Sequence, residues 1–349
     1  MAFATLFSNV ASRLFGAQAP GAAGAVEPEL VQLAIEAIVE AVDPRLRSVS
    51  RYQSKIAPGA ERTIAHLRAF ARELPEPIEL SRAAWTSDPL LNALFGAAAD
   101  VPVLLGRSKE LRAFFDAPAN AGVAEAHALL GTLKAERSVF APAIVNGAVQ
   151  QDVAQTTVSF AQHRLFAPAA DPLDCRRQVG VLILRRLAAL ALERITAVGE
   201  RAVELEQRKA MLGSRLRMLS LRRNGFEEIA GGAGDVPAEI AKIEAELKAT
   251  VDDYHEAKAS LATLESRIEH INAIFGAPAE NVSLARTELR VNRMGYKVAG
   301  DSGEPASPLT LSELSIGKGL TLVIAFVRCP RAELPPREDL TARAAQELL

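Results

Sequence analysis

Five histidines and two cysteines are the side chains of this 349-residue chain best suited to move a proton near neutral pH or to ligate a metal. The histidines are His66, His127, His163, His255 and His270, and none falls in an HExxH spacing. His255 and His270 lie beside an apolar helical seam described below and read as solvated. His163, in "SFAQHRLF" with Arg164 beside it, falls late in a strand and is the histidine to test first. Cys175 precedes Arg176 and Arg177 in the first turn of a helix, where a thiol pKa falls, so it is a candidate redox site. Cys175 and Cys329 are far apart and form neither a disulfide framework nor a zinc spacing. Such usage fits a reduced, cytoplasmic compartment.

The glycine-rich stretches and the serines match no catalytic or phosphate-binding motif. "SIGKGLT" lacks the glycine a phosphate loop needs five residues before its Gly-Lys pair, because Ser312 stands there, and Gly319 replaces the hydroxyl residue. A turn between strands explains its glycines. "GGAGD", residues 231–235, precedes a helix but follows no strand, so it reads as a flexible tip rather than a dinucleotide loop. No serine has a nucleophile-elbow context. The expectation is therefore no catalytic residue, no cofactor and no metal site. This weighs against an enzyme, although a site assembled from distant residues between sheet and helical region stays open.

The elements are clearer than the chemistry. Val181, Leu184, Ala188, Ala191, Ile195, Val198, Ala202, Leu205, Lys209, Leu212, Leu216 and Leu219 alternate in steps of three and four. Only Lys209 is polar, and the spacing is that of a coiled-coil seam. Asp171 and Pro172 mark its start and Asn224-Gly225 its end. A helix of about 50 residues, roughly 75 Å long, follows. Arg185, Arg186, Glu193 and Arg194 rule out a membrane span for its most apolar stretch, 179–195.

A second seam runs Ile240, Ile243, Leu247, Thr250, Tyr254, Ala257, Leu261, Leu264, Ile268, Ile271 and Phe275. The loop 223–236 is short enough to fold the two helices into an antiparallel hairpin. Residues 176–223 hold twelve Lys/Arg against four Asp/Glu, net +8, and 236–275 hold eight Asp/Glu against four Lys/Arg, net −4. Opposite charges favour that pairing, with self-association of two hairpins as the alternative.

Strand signals flank the hairpin. Asn146-Gly147 joins 138–145 to 148–166 as a tight turn, and Pro142 marks an edge or a bulge. Residues 282–291, 309–316 and 320–329 supply further strands. The last is apolar on both faces from Leu320 to Val327 and should be central.

The fold class is therefore α+β, predominantly helical. Residues 1–27 form an amphipathic segment and link, and 28–135 a helical region. Residues 136–170 and 278–330 form a small, mostly antiparallel sheet domain. The coiled-coil hairpin, 171–277, is inserted in it as an arm, and 331–349 is a tail. Trp85, the single tryptophan, reads as a core anchor, with ligand stacking as the alternative.

The net charge of −2 provides no global field for nucleic acid or membrane. The local exception is 208–225, where Arg208, Lys209, Arg215, Arg217, Arg222 and Arg223 occur without an acid. The acidic start of the second helix is expected to neutralise much of it, so nucleic acid is not the expected partner. Phe226 and Ile229 at the tip fit either a partner's pocket or the end of the seam. The candidate interaction residues are thus Phe226, Ile229, Arg215, Arg217, Arg222 and Arg223.

The function expected is a non-enzymatic scaffold or adaptor, bacterial in composition, reaching a partner or a second copy with its arm. The alternative is a peripheral membrane protein docking through residues 3–15, where Phe3, Leu6, Phe7, Val10 and Leu14 make one apolar face.

Overall fold

The structure, a computed structural model, describes residues 2–14, 26–145, 148–223, 236–292, 295–298, 306–317 and 319–336. It is α+β and mainly helical. The chain divides into two compact units: 1–33, 63–186 and 278–349 in the first, and 34–62 and 187–277 in the second.

The first unit is built on a sheet. Strands β1 (Ile78–Glu79), β2 (Glu125–Val145), β3 (Ala148–Ala169), β4 (Val282–Val291), β5 (Ser307–Ile316) and β6 (Leu320–Pro330) run in the order β3-β2-β6-β5-β4. Every pairing along that path is antiparallel, and β1 adds to β6 in parallel. β6 is central as its sequence requires: Val323 to Val327 are all buried. One edge of β6 bonds to β2, while the other is shared between β5 at residues 320–324 and β1 at Val327 and Arg328. Gly317 and Gly319, at φ 61° and 93°, flank the turn into β6, which is the role expected of them.

β2 begins at Glu125, well before the expected boundary at 136. "EAHALLGTLKA" is rich in good helix formers, but β3 and β6 lie on its two sides and satisfy its backbone as a strand. Tertiary pairing overrides local propensity here. Val145 pairs with Ala148, so the two strands are joined across two residues as the Asn-Gly signal predicts. The register shifts between Ala141 and Ala143, which places Pro142 at a bulge.

Two more bulges shape β3. The register slips between Gly131 and Leu133 and between His127 and Leu129, and Gln162 and Ala167 adopt φ of 56° and 54° there. Each extra residue reverses which face the following side chains meet. Thr132, fully buried, donates its hydroxyl to the Ala161 carbonyl at 2.8 Å and so holds the first bulge.

Helices cover both faces. Against one pack α5 (Pro89–Leu94), α6 (Asp100–Arg107) and α7 (Lys109–Asp116). Leu91, Leu94, Val101, Leu105, Leu111 and Phe115 meet Ala126, Ala128, Leu130, Val323, Ala325 and Val327 there. Ser81, Asp88 and Ser108 cap α4 (Arg82–Ser87), α5 and α7 by accepting backbone N–H bonds. On the opposite face Phe326 is fully buried under the Arg176 guanidinium, 5.0 Å from its ring centre. That guanidinium also donates to the carbonyls of Ala71, Leu74 and Pro75, which satisfies the end of α3 (Tyr52–Glu73).

α1 (Ala2–Arg13) packs on this unit. Phe7, Val10 and Leu14 are fully buried, with Arg185 over the Phe7 ring at 4.8 Å. A Cβ on Gly180 would collide with Leu14, so glycine permits the close approach. Three of the residues assigned to membrane docking are therefore covered by the protein itself.

In the second unit, Asp43 organises the turn after α2 (Pro28–Val42). It caps the 3-10 helix Pro44–Ser48, accepting from Arg45 N at 3.0 Å, and pairs with the guanidinium of Arg45. Arg267, in α10 (Leu264–Phe275), donates to its second oxygen at 2.6 Å. These bonds, led by that from the Arg45 side chain, outweigh desolvation and hold the Asp43 carboxyl below its usual pKa.

Two predictions follow from this packing. A group with a depressed folded pKa contributes stability above its unfolded pKa, and that contribution is lost as pH falls through the folded value. Asp43→Asn should cost about 2 kcal/mol near neutrality. The penalty should shrink only as pH falls beneath the ordinary aspartate range and through the depressed folded pKa, where the native carboxyl itself becomes protonated. Denaturant unfolding across pH measures both. Gln162→Gly should raise stability by about 0.5–1 kcal/mol by relieving a left-handed non-glycine residue, readable in the thermal midpoint.

Candidate interaction surface

α8 (Pro172–Arg223) is a single helix of 52 residues, and α9 (Val236–Ala259) runs antiparallel to its second half. The direction follows from the ion pairs: Arg208 meets Glu246 at 2.5 Å and Arg215 meets Glu239 at 2.7 Å. Between them the predicted seam is buried. Leu212 and Leu219 pack with Ile240 and Ile243, joined by half-buried Leu216, Val236 and Leu247. Tyr254 explains the polar seam residue. The Lys209 ammonium sits 4.3 Å from its ring centre, and its hydroxyl accepts from Lys258 at 3.0 Å.

The second seam is not continuous to Phe275. α9 ends at Ala259, and α10 begins at Leu264 behind a capping box in which Thr263 and Ser266 bond each other's backbone. A side-chain cap thus competes with continuation of the helix at 260–263, which periodicity alone does not reveal. His270 corrects a second expectation. It is half-buried rather than solvated, with Nε2 3.1 Å from the Ser260 carbonyl at this break and Nδ1 accepting from Arg194 at 3.3 Å. His255 is exposed beside Tyr254, as expected.

The predicted interaction residues divide three ways. Arg215 is engaged within the chain by Glu239, as is neighbouring Arg208 by Glu246. Both pairs are exposed and contribute little stability. Arg217 donates to the Ser214 hydroxyl at 3.1 Å, and Arg222 is exposed near the end of α8. Arg223 is the last residue of α8. Phe226 and Ile229 lie outside the described residues.

α8 also carries large apolar side chains outside the seam. Val203, Met211, Met218 and Leu221 are 56%, 64%, 63% and 74% exposed. Val203 and Leu221 each lie two residues from a buried seam leucine, Leu205 and Leu219, as does exposed Ala210 from Leu212. Two residues of α-helix turn through about 200°, so these three point away from α9. Met211 and Met218, seven residues apart, line the margin of the same stripe. The sequence carries the signal only in part: Val203 and Ala210 are seven residues apart and two positions before seam leucines, Met211 and Met218 are seven apart and one position before them, and Arg217 takes the next place in the first series.

His163 and Cys175, the side chains singled out for a test of chemistry, are both held in the packing. The first β3 bulge turns His163 toward the helices, where it stacks on Phe95 with ring centres 4.6 Å apart, and Nε2 lies 2.8 Å from the Leu94 carbonyl. Burial is the main cause of its lowered pKa. Cys175 is fully buried, and desolvation pushes its thiol up to about 12, against the smaller opposing pull of Arg176. The expected low-pKa redox thiol is therefore overturned: the arginine beside it in sequence is engaged with Phe326 and the α3 carbonyls. Among the described residues no three His, Cys, Asp or Glu side chains are placed to hold a metal.

Trp85 donates its indole N–H to the Phe95 carbonyl at 2.9 Å and lines an open cleft of about 660 Å³. Phe95, Phe160, Asn92, Asn292 and Asp88 share that lining. The cleft lies between α4–α5 and the strands.

Native Cys175 and Cys329, both buried, should resist a thiol reagent at pH 8 and react fully in denaturant. Fast labelling of the folded protein would contradict the burial. Among the described residues no helix is long and apolar enough to cross a membrane. No family model matches the chain, and neither a curated protein nor a solved structure matches it.

Proposed function

We propose that this protein is a non-enzymatic adaptor that binds another protein through the coiled-coil hairpin of α8 and α9. The exposed stripe of Val203, Met211, Met218 and Leu221 carries this reading. Val203 and Leu221 lie on the side turned from the intramolecular seam and Met211 and Met218 between that side and the seam, and large exposed apolar side chains so placed form a surface on which a partner helix docks. Methionine at the margin suits such a surface, because its unbranched side chain adapts to an incoming partner. Burial of Phe7, Val10 and Leu14 favours this over membrane docking through residues 3–15.

The Trp85 cleft supports a second reading, a small-molecule site. Its volume lies in the range of ligand pockets, and aromatic and amide side chains line it.

Quantitative affinity capture from the native cell tests the adaptor. Met218→Ser with Leu221→Ser should reduce recovery of a specific protein at least fivefold, since exposed hot-spot contacts are removed. Both positions are solvent-facing, so thermal stability should stay within about 0.5 kcal/mol. Unchanged recovery with the doubly substituted protein would overturn the assignment to this face.

A further inference from the structure

The cleft beside Trp85 turns most of its hydrogen-bond donors back onto the protein. The indole N–H goes to the Phe95 carbonyl at 2.9 Å. The Thr86 hydroxyl donates to the Ala83 carbonyl at 2.7 Å, and the Ser87 hydroxyl to the Ala84 carbonyl at 3.2 Å. Among the described lining side chains only the amides of Asn92 and Asn292 carry further N–H groups. Acceptors remain. Asp88 is the one charged residue of that lining. Its Oδ1 accepts from Leu90 N and Leu91 N at 2.8 and 3.0 Å, which fixes the carboxylate, while Oδ2 has no bond among the described residues. Both hydroxyl oxygens keep lone pairs. The half-buried rings of Trp85 and Phe160 add electron-rich faces. Resting on the reading of this cleft as a small-molecule site, we infer that it takes a small organic cation, an amine carried on an apolar body. The ammonium would meet the Asp88 carboxylate and supply the hydrogens that the acceptors lack. The apolar body would lie against Trp85 and Phe160.

The strand side of the cleft is fixed by the way the sheet closes. Residues 295–298 join β4 to the outer edge of β3. Val158 N donates to the Gly295 carbonyl and Lys297 N to the Thr156 carbonyl, both at 2.8 Å, and Val298 N donates to the Arg290 carbonyl at 2.9 Å. Val158, Phe160, Val291 and Leu309 thus form one wall, and α4 with α5 the other, so binding has little left to order. An anion fits less well, because it would face Asp88 with no Lys, Arg or His among the described lining residues. A neutral apolar ligand would cover the second Asp88 oxygen without giving it a partner.

Trp85 is the single tryptophan, so its emission in the full-length protein reports on the cleft. Titration with benzylamine, benzyl alcohol and benzoate at neutral pH compares a cation, a neutral molecule and an anion of nearly one shape. Benzylamine should change the emission saturably, with a Kd roughly tenfold below that of benzyl alcohol, and benzoate should give no saturable change. Asp88→Asn keeps a side-chain oxygen for the α5 cap, so the fold should hold. It should weaken benzylamine roughly tenfold and leave benzyl alcohol unchanged. The series on the unaltered protein decides even if that variant fails to fold. Equal binding of benzyl alcohol, tighter binding of benzoate, or a benzylamine Kd that a folded Asp88→Asn leaves unaltered overturns the cation and leaves the small-molecule site standing. No saturable change with any of the three overturns both.

Discussion

Strand β6 is hydrogen-bonded along both edges and covered on both faces, and the first unit depends on that. A strand so placed can carry apolar residues without alternation, which is what Val323 to Val327 do. Its two faces then recruit different helices. Val323, Ala325 and Val327 meet α5, α6 and α7, whereas Phe326 meets Arg176 of α8. Arg176 stacks on an aromatic ring while its N–H groups satisfy carbonyls at the end of α3. One guanidinium thereby joins a strand, a helix start and a helix end. A lysine would offer neither the planar stack nor the forked donors.

The bulges of β3 are the second device of that unit. A strand of 22 residues beside a curved sheet cannot keep one register. Gln162 and Ala167 accept left-handed backbone so that the chain can slip by one residue twice. The first slip turns His163 inward, where Phe95 and the Leu94 carbonyl hold it. A histidine that strand alternation would send elsewhere becomes part of the packing.

The helix pair shows how one helix can serve two purposes. Its seam is satisfied within the chain by leucine, isoleucine and a lysine–tyrosine contact. Arg208 and Arg215 find acids on α9. Val203, Ala210 and Leu221 face away from the partner helix. Burial in the seam stabilises the pair, and the exposed stripe adds nothing to that stability.

Local pattern alone determined the two long helices, their antiparallel pairing, the two-residue connection of β2 and β3, the bulge at Pro142 and the centrality of β6. Each depends on interactions that repeat over a few residues: heptad spacing, turn chemistry, the missing N–H of proline, unbroken apolar character. Tertiary structure decided the rest. It made 125–135 a strand despite its helix-forming residues, because β3 and β6 stood ready to bond it. It broke the second seam at Thr263, where a cap satisfies the backbone better than continuation. It removed the arginine next to Cys175 to a distant ring and set burial in control of the thiol. The candidate surface shared both origins. The apolar residues Val203, Met211, Met218 and Leu221 are written in the sequence, but which side of α8 is buried depends on where the opposing helix lies.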